Sequence, residues 1–241
     1  SKMKTLKILI FWAVLMVLFP SVSLGRTVKL ATLDWEPYIG SGMEGQGYVG
    51  KVVRMAFDHS EFVPEYTTFP WARVVHMATS KNYDGYFPEY YSKEIAKDFY
   101  FSDPFPSGPL VLFKRKKDSI SYKTLEDLKP YSIGVVRGYV NTEEFDNASY
   151  LKKVEAVDDL RNIKKLINGW IDLVVADRYV GEHLLRTYYP EFADEIDIVV
   201  PPLEIKQLHI CISKDNPEAS RILEAFNAGL DRMRQNGSLK Q

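Results

Sequence analysis

Cysteine is almost absent from this chain. Cys211 is the only one in 241 residues, so no internal disulfide can form. Its neighbours Leu208, Ile210 and Ile212 make an apolar, strand-like run, and a lone thiol in such a run belongs in a core. Histidine is scarce as well. His59, His76, His183 and His209 are scattered without metal-ligand spacing. There is no Gly-rich nucleotide loop and no nucleophile motif, so no metal and no cofactor is expected. No basic stripe is present, which argues against a nucleic-acid partner.

Long apolar runs are missing too, apart from one near the start. Lys2, Lys4 and Lys7 precede the run from Ile8 to Phe19, then come Pro20 and Ser23-Leu24-Gly25. A charged start, an apolar stretch too short to span a bilayer comfortably and a small-x-small site read as a signal peptide over residues 1–25. The rival reading is a retained anchor. No lipobox cysteine follows the run, which argues against a lipoprotein. Residues 1–25 hold three lysines and no acid, so their removal moves the formal charge from −1 to −4. The absence of an apolar span after Gly237 weighs against a membrane-tethered sensor.

What is present is alternation. Val28 to Leu33 reads as a strand, and Val49, Val52, Val53, Ala56 and Phe57 form a helical stripe. Trp71, Val74, Val75 and Ala78 make another, opened by Pro70. Asp84 to Phe87 and Leu110 to Phe113 are strand candidates. The pattern then restarts with a strand over Ser132 to Val136, a helix start at Asn141 and a strand over Val154 to Val157. Asp158 caps a helix carrying Leu160, Ile163 and Ile167, and Ile171 to Ala176 is a strand ending at Asp177. Gln207 to Ser213 is a strand, and Ile222, Leu223, Phe226, Leu230 and Met233 line a last helix before Gly237. Strands alternating with helices imply an α/β fold with parallel sheets.

The stretch from Tyr83 to Phe105 carries the most information. It has an aspartate leading a short aromatic strand, a polar helix-prone segment over Lys93 to Asp98, and Phe101-Ser102-Asp103-Pro104-Phe105. That layout resembles the ligand loop of the family 3 periplasmic solute-binding proteins, the receptors of polar amino acid ABC importers. The resemblance implies a two-lobed fold of the type II periplasmic-binding class, with a two-strand hinge and an interlobe cleft. Lobe one is expected over 26–112 and 207–241, and lobe two over 113–206. A monomer is implied, secreted to the periplasm, with a small-molecule solute and an ABC transporter permease as its partners.

In open α/β sheets ligands sit beyond the carboxyl ends of strands. Trp35-Glu36-Pro37-Tyr38 resembles the family's aromatic-x-Pro-aromatic turn, with Trp35 and Tyr38 as ligand-binding candidates. Trp35 either stacks on the ligand or packs under its own turn. Trp71 matches a cleft position and also sits on the apolar face of its helix. Small residues of typical members are replaced by Pro88, Glu89, Tyr90 and Tyr91. Glu89 either receives an ammonium group there or is solvated, solvation being the commoner fate of Glu. Gly134-Val135-Val136-Arg137-Gly138-Tyr139 resembles the family's Gly-x-x-x-Gly-Thr anion site at a helix N-terminus. Asp177 matches the acceptor for an α-ammonium group.

One departure stands out. The position where amino-acid-binding members carry an arginine for the ligand's carboxylate holds Ile95. Either Arg137 supplies that grip instead, or the ligand is not an α-amino acid; Arg73 is expected on a solvated face. The function implied is capture of an amino-acid-like or amine-like solute for ABC import, without catalysis. Two other classes share the scaffold: a dehydratase-like enzyme, for which Glu36, Glu89 and Asp177 are the available acids, and a ligand-presenting sensor protein.

Overall fold

The computed structural model describes residues 25–239. The apolar run and all but the last residue of the expected signal peptide lie outside the described residues. The elements in chain order are β1 (Arg26–Thr32), α1 (Gly47–Phe57), β2 (Phe62–Thr68), α2 (Trp71–Ala78), β3 (Gly85–Glu89), β4 (Phe99–Phe101) and β5 (Phe105–Arg115). Then follow β6 (Ser132–Val136), α3 (Glu143–Asn147), β7 (Lys152–Ala156), α4 (Asp159–Ile167), β8 (Leu173–Asp177), α5 (Arg178–Tyr188), β9 (Ile196–Ser213) and α6 (Ala219–Gln235).

The strands order as β2-β1-β3-β9-β5-β8-β6-β7, with β4 also pairing β9. β1, β2 and β3 run parallel, as do β6, β7 and β8. These two parallel groups are the cores of the two lobes. Two long antiparallel strands join them. β9 pairs with β3 near its end (Tyr86 to Cys211), and with β5 from Phe105↔Leu208 to Arg115↔Ile196. β5 joins β8 from Leu110↔Asp177 onward.

The helical stripes pack where their 3.6-residue period directs them. Val49, Val52, Val53, Ala56 and Phe57 of α1 are buried, as are Ile222, Phe226, Leu230 and Met233 of α6. These two helices pack so closely that a Cβ on Gly229 would lie 1.7 Å from the Ala56 carbonyl oxygen. A second apolar cluster, including Val111, Phe113, Ile163, Leu166 and Val174, lies against the second sheet. Cys211 is fully buried and unpaired.

Four elements escape the sequence pattern, the short strand β4 among them. β2 alternates only weakly, because its outward positions hold Val63, Glu65 and Thr67 while Pro64 interrupts it. α5 starts at once after β8 and buries only Val180, Gly181 and Leu185. The first half of β9 contains Pro201 and Pro202. Its pairing with β5 jumps from Val199↔Leu112 to Glu204↔Leu110, and that irregularity accommodates the two prolines.

Candidate functional site

The ends of four parallel strands bring the expected residues to the junction of the lobes. After β1 the chain turns back on itself, Trp35 N–H donating to the Ile39 carbonyl at 2.7 Å. The Tyr38 ring stacks on Trp35 with centroids 4.8 Å apart. β3 ends at Glu89 with Tyr90 next, β6 leads into Arg137 to Val140, and β8 ends at Asp177.

Trp35, Trp71, Tyr90 and Tyr139 wall a cavity of about 30 Å³, closed by Leu33, Pro88, Val140 and Leu208. The one charged group in its lining is Glu89. Contacts between the lobes hold these walls together. Trp71 Nε1 donates to the Gly138 carbonyl at 3.0 Å, and the Trp71 and Tyr139 rings meet edge to face at 5.5 Å. Outside the cavity His183 pairs with Glu36 at 3.0 Å and Lys93 with Glu143 at 2.9 Å.

The solvated alternative for Glu89 is overturned: the residue is only 4 % exposed. All five residues of β3 are buried, so the strand carries its last side chain into the interior. The Tyr86 hydroxyl donates to Oε2 at 3.0 Å and Tyr90 N–H to Oε1 at 2.9 Å. Burial pushes the Glu89 carboxyl up to about 8, against the stabilising pull of these donors and of the Lys206 charge.

Asp159 is a second buried acid, one that the sequence reading passed over. It opens α4 directly after Asp158, whose side chain caps the helix by accepting from Arg161 N–H at 2.8 Å. A tandem Asp-Asp at a helix start was the available signal, since only one of the pair is needed as cap. Asp159 Oδ2 accepts from the Tyr139 hydroxyl at 3.2 Å, while its buried Oδ1 has no hydrogen-bond partner. The Trp35 side chain also favours the charged form of this carboxyl. Burial nonetheless pushes this carboxyl up to about 7. The hydroxyl of Tyr90 is also buried and unpartnered, and the charges of Asp177 and Asp159 both bear on it. One helical turn along, Asn162 is fully buried with both ends of its amide unpaired.

Asp177 and Tyr38 lie together behind the cavity walls. Asp177 Oδ1 accepts from Tyr179 N–H at 2.8 Å and Val180 N–H at 3.1 Å, which caps α5. Its Oδ2 accepts from the Tyr38 hydroxyl at 2.9 Å. Burial raises this carboxyl to about 6.

Arg137, the expected substitute carboxylate grip, does not line the cavity. Its side chain is 65 % exposed and pairs with Glu155 at 2.9 Å. β6 and β7 pair with Val135 opposite Glu155, so a residue just past the end of β6 turns outward to that acid. The helix expected from Asn141 begins later, capped by Thr142, and is five residues long. Its own Asp146 accepts from Asn141 N–H and Nδ2, which fills the place expected for an external anion. Gly134 makes room for Ile171 and Asn162: a Cβ there would lie 2.8 Å from Asn162 Oδ1. Ile95 sits on a short 3-10 turn with its half-buried side chain against the core. Arg73 is exposed, its guanidinium 5.1 Å from the Phe69 ring centroid.

Lys206 is the other residue missed. On β9 it shares the inward parity of Leu208, Ile210 and Ile212, and a lysine in that register was the signal. Its ammonium donates to the Asn141 carbonyl at 2.8 Å and to Glu204, and stands 4.8 Å from the centre of the Tyr90 ring.

The profile of the bacterial extracellular solute-binding proteins, family 3, matches residues 30–241. The chain belongs to that family. Membership makes it a solute-binding protein rather than an enzyme, of the extracellular or periplasmic kind. No functionally curated protein matches it. Among solved structures it is similar to a histidine kinase sensor domain with similarity to periplasmic binding proteins (19 % identity, TM-score 0.77, covering 89 % of this chain and 93 % of that one). It also resembles an ancestral arginine-binding protein bound to arginine (23 %, TM-score 0.72, 89 % and 95 %). A third similar structure is an arginine-bound mutant of ArgBP from T. maritima (18 %, TM-score 0.71, 86 % and 95 %). At these identities the likeness establishes the two-lobed α/β fold.

Proposed function

We propose that this protein is exported through a cleaved leader, captures a small amine-bearing solute between its lobes and delivers it to an ABC importer. The observation that carries the amine reading is the lining of the cavity: four aromatic rings around one buried carboxylate, Glu89. Burial holds this acid toward its protonated form, and a cation entering beside it lets it ionise, while aromatic faces favour the same cation. The cations near the cleft are engaged elsewhere, Arg137 by Glu155 and Lys206 by Glu204 and the Asn141 carbonyl. An α-amino acid would therefore bring a carboxylate that meets no guanidinium in the cavity walls.

Capture requires hinge motion. A cavity of about 30 Å³ accommodates about one or two water molecules, so the lobes part to admit any solute. We place the crossings at 106–109, a few residues before the expected boundary at 112, and at 205–207, which spans the expected boundary at 206. This rests on the register shift of the β5–β9 ladder between Pro106 and Pro109 and on the pairing of Leu110 with β8.

The test is native mass spectrometry of protein purified from its own periplasm, followed by a thermal-shift screen of amines against the twenty amino acids. A co-purifying amine, and stabilisation by amines alone, are expected. Tight binding of a standard α-amino acid would overturn the amine reading. N-terminal sequencing of the same material should begin near Arg26, and an intact terminus in the membrane fraction would overturn the cleaved leader. Likeness to a sensor domain favours a second reading, presentation of the closed lobes to a receptor. Loss of solute uptake on deletion of the gene separates transport from that alternative.

A further inference from the structure

The cleft does not end at the small cavity. Beside it lies a chamber of about 580 Å³ that shares Leu33, Trp71 and Tyr139 with the cavity lining. The Trp71 and Tyr139 rings, in edge-to-face contact across the lobes, thus form part of both walls. Strand ends supply the rest of the chamber. Asp34 follows β1 and Phe69 follows β2 in the first lobe, while Tyr139 follows β6, and Val157 and Asp158 follow β7, in the second. Both pairs of strands are parallel, and β2 and β7 stand at the two ends of the strand order. Carboxyl ends of parallel strands from both lobes therefore converge on one chamber, the place where open α/β sheets hold ligands.

Apolar groups of both lobes line this chamber. Phe69 is half-buried, and Val157 is 54 % exposed. A lone exposed valine is ordinary, but this one shares its chamber with the rings of Phe69, Trp71 and Tyr139. The charged residues of the lining are Asp34, Asp158 and Arg161, and Arg161 pairs with Asp158. Asp34 is left unbalanced, so an anionic group would be repelled there. A second opening shares Tyr139 and Val140 with the cavity, but across it Lys93 and Glu143 tie the lobes together.

We propose that the solute is a primary amine carrying a neutral aromatic substituent, with the ammonium beside Glu89 in the cavity and the ring in the chamber. This rests on the amine reading above and deepens it. The ring lies between Phe69 and Trp71 of one lobe and Tyr139 and Val157 of the other, which offer it aromatic and aliphatic contact on both sides. The lobes part to admit any solute, so one molecule comes to lie across the Trp71–Tyr139 contact as they close. Neutrality of the substituent follows from the unbalanced Asp34. A ring touched by both lobes also couples binding to closure, because its contacts are complete only in the closed state.

Titration calorimetry with 2-phenylethylamine and ethylamine on the full mature chain tests the proposal. The aromatic amine is expected to bind at least tenfold more tightly. Val157→Asn, at an exposed position and confirmed folded by its melting profile, should weaken 2-phenylethylamine at least threefold and leave ethylamine unchanged. Asn147→Ala, in the second opening, should change neither. Equal binding of the two amines by the wild-type protein overturns the aromatic subsite while leaving the amine reading intact. Affinity for 2-phenylethylamine that survives Val157→Asn, or that falls in Asn147→Ala instead, removes the ring from the chamber and overturns the proposal. Failure of both amines to bind overturns the amine reading itself.

Discussion

The Tyr38 hydroxyl donates to Asp177 Oδ2 at 2.9 Å, so the turn after the first strand of one lobe reaches an acid that ends a strand of the other. Asp177 thereby works in two ways, as cap of α5 through Tyr179 and Val180 and as a tie between lobes. The same carboxylate that resembles a ligand acceptor in sequence already takes three donors from the protein itself.

Asp177→Ala removes the cap and strands a buried tyrosine hydroxyl. A loss of about 1–3 kcal/mol is expected from these two effects. Urea denaturation monitored by circular dichroism measures it. An unchanged midpoint would mean that neither contact stabilises the folded chain.

Glu89 makes stability depend on pH. Its carboxyl titrates at an ordinary 4.5 when exposed and is pushed up to about 8 in the fold, chiefly by burial. A raised acid favours the folded state in its protonated form. The stability it contributes is therefore full below pH 4.5 and is lost as pH rises through 8. Glu89→Gln keeps an acceptor for Tyr90 N–H and cannot ionise. The variant should gain on the wild type steadily between pH 4.5 and 8 in thermal melts, and a constant difference across that window would contradict the burial argument.

Gly229→Ala sets helix propensity against packing. Alanine in a helix is favoured over glycine by about 1 kcal/mol. Here, however, the added methyl would meet the Ala56 carbonyl oxygen at 1.7 Å, so α1 and α6 must separate. Steric cost should win, with a net loss of about 1–3 kcal/mol in denaturant titrations. Gly42→Ala, where nothing lies within 4 Å, serves as the neutral control.

Trp71→Phe keeps an aromatic wall and deletes the 3.0 Å hydrogen bond to the Gly138 carbonyl. That bond joins the lobes, so its loss should weaken closure by about 0.5–1.5 kcal/mol. Small-angle scattering of the variant is expected to give a larger radius of gyration than the wild type. Identical curves would assign Trp71 a packing role alone.

Much of the architecture was legible in residue order. The stripes of α1 and α6, the strands around Val28, Ser132 and Val154, the capping Asp158 and the buried Cys211 all follow from local rules of period and capping. Those rules act within one element, where side-chain direction is set by the backbone.

Which groups meet across the cleft was decided by tertiary structure alone. Sequence order placed Arg137 beside Tyr139, but pairing of β6 with β7 turned it outward to Glu155. Sequence left Glu89 open between ammonium acceptor and solvated residue, and only the fold buries it, held by the Tyr86 hydroxyl and Tyr90 N–H. Lys206 meets the Tyr90 ring only because β9, distant in sequence, folds against it. Periodicity encodes which face of an element is inward. It carries no record of what stands opposite, because that depends on how two lobes, each folded by its own local pattern, are set against one another by β5 and β9.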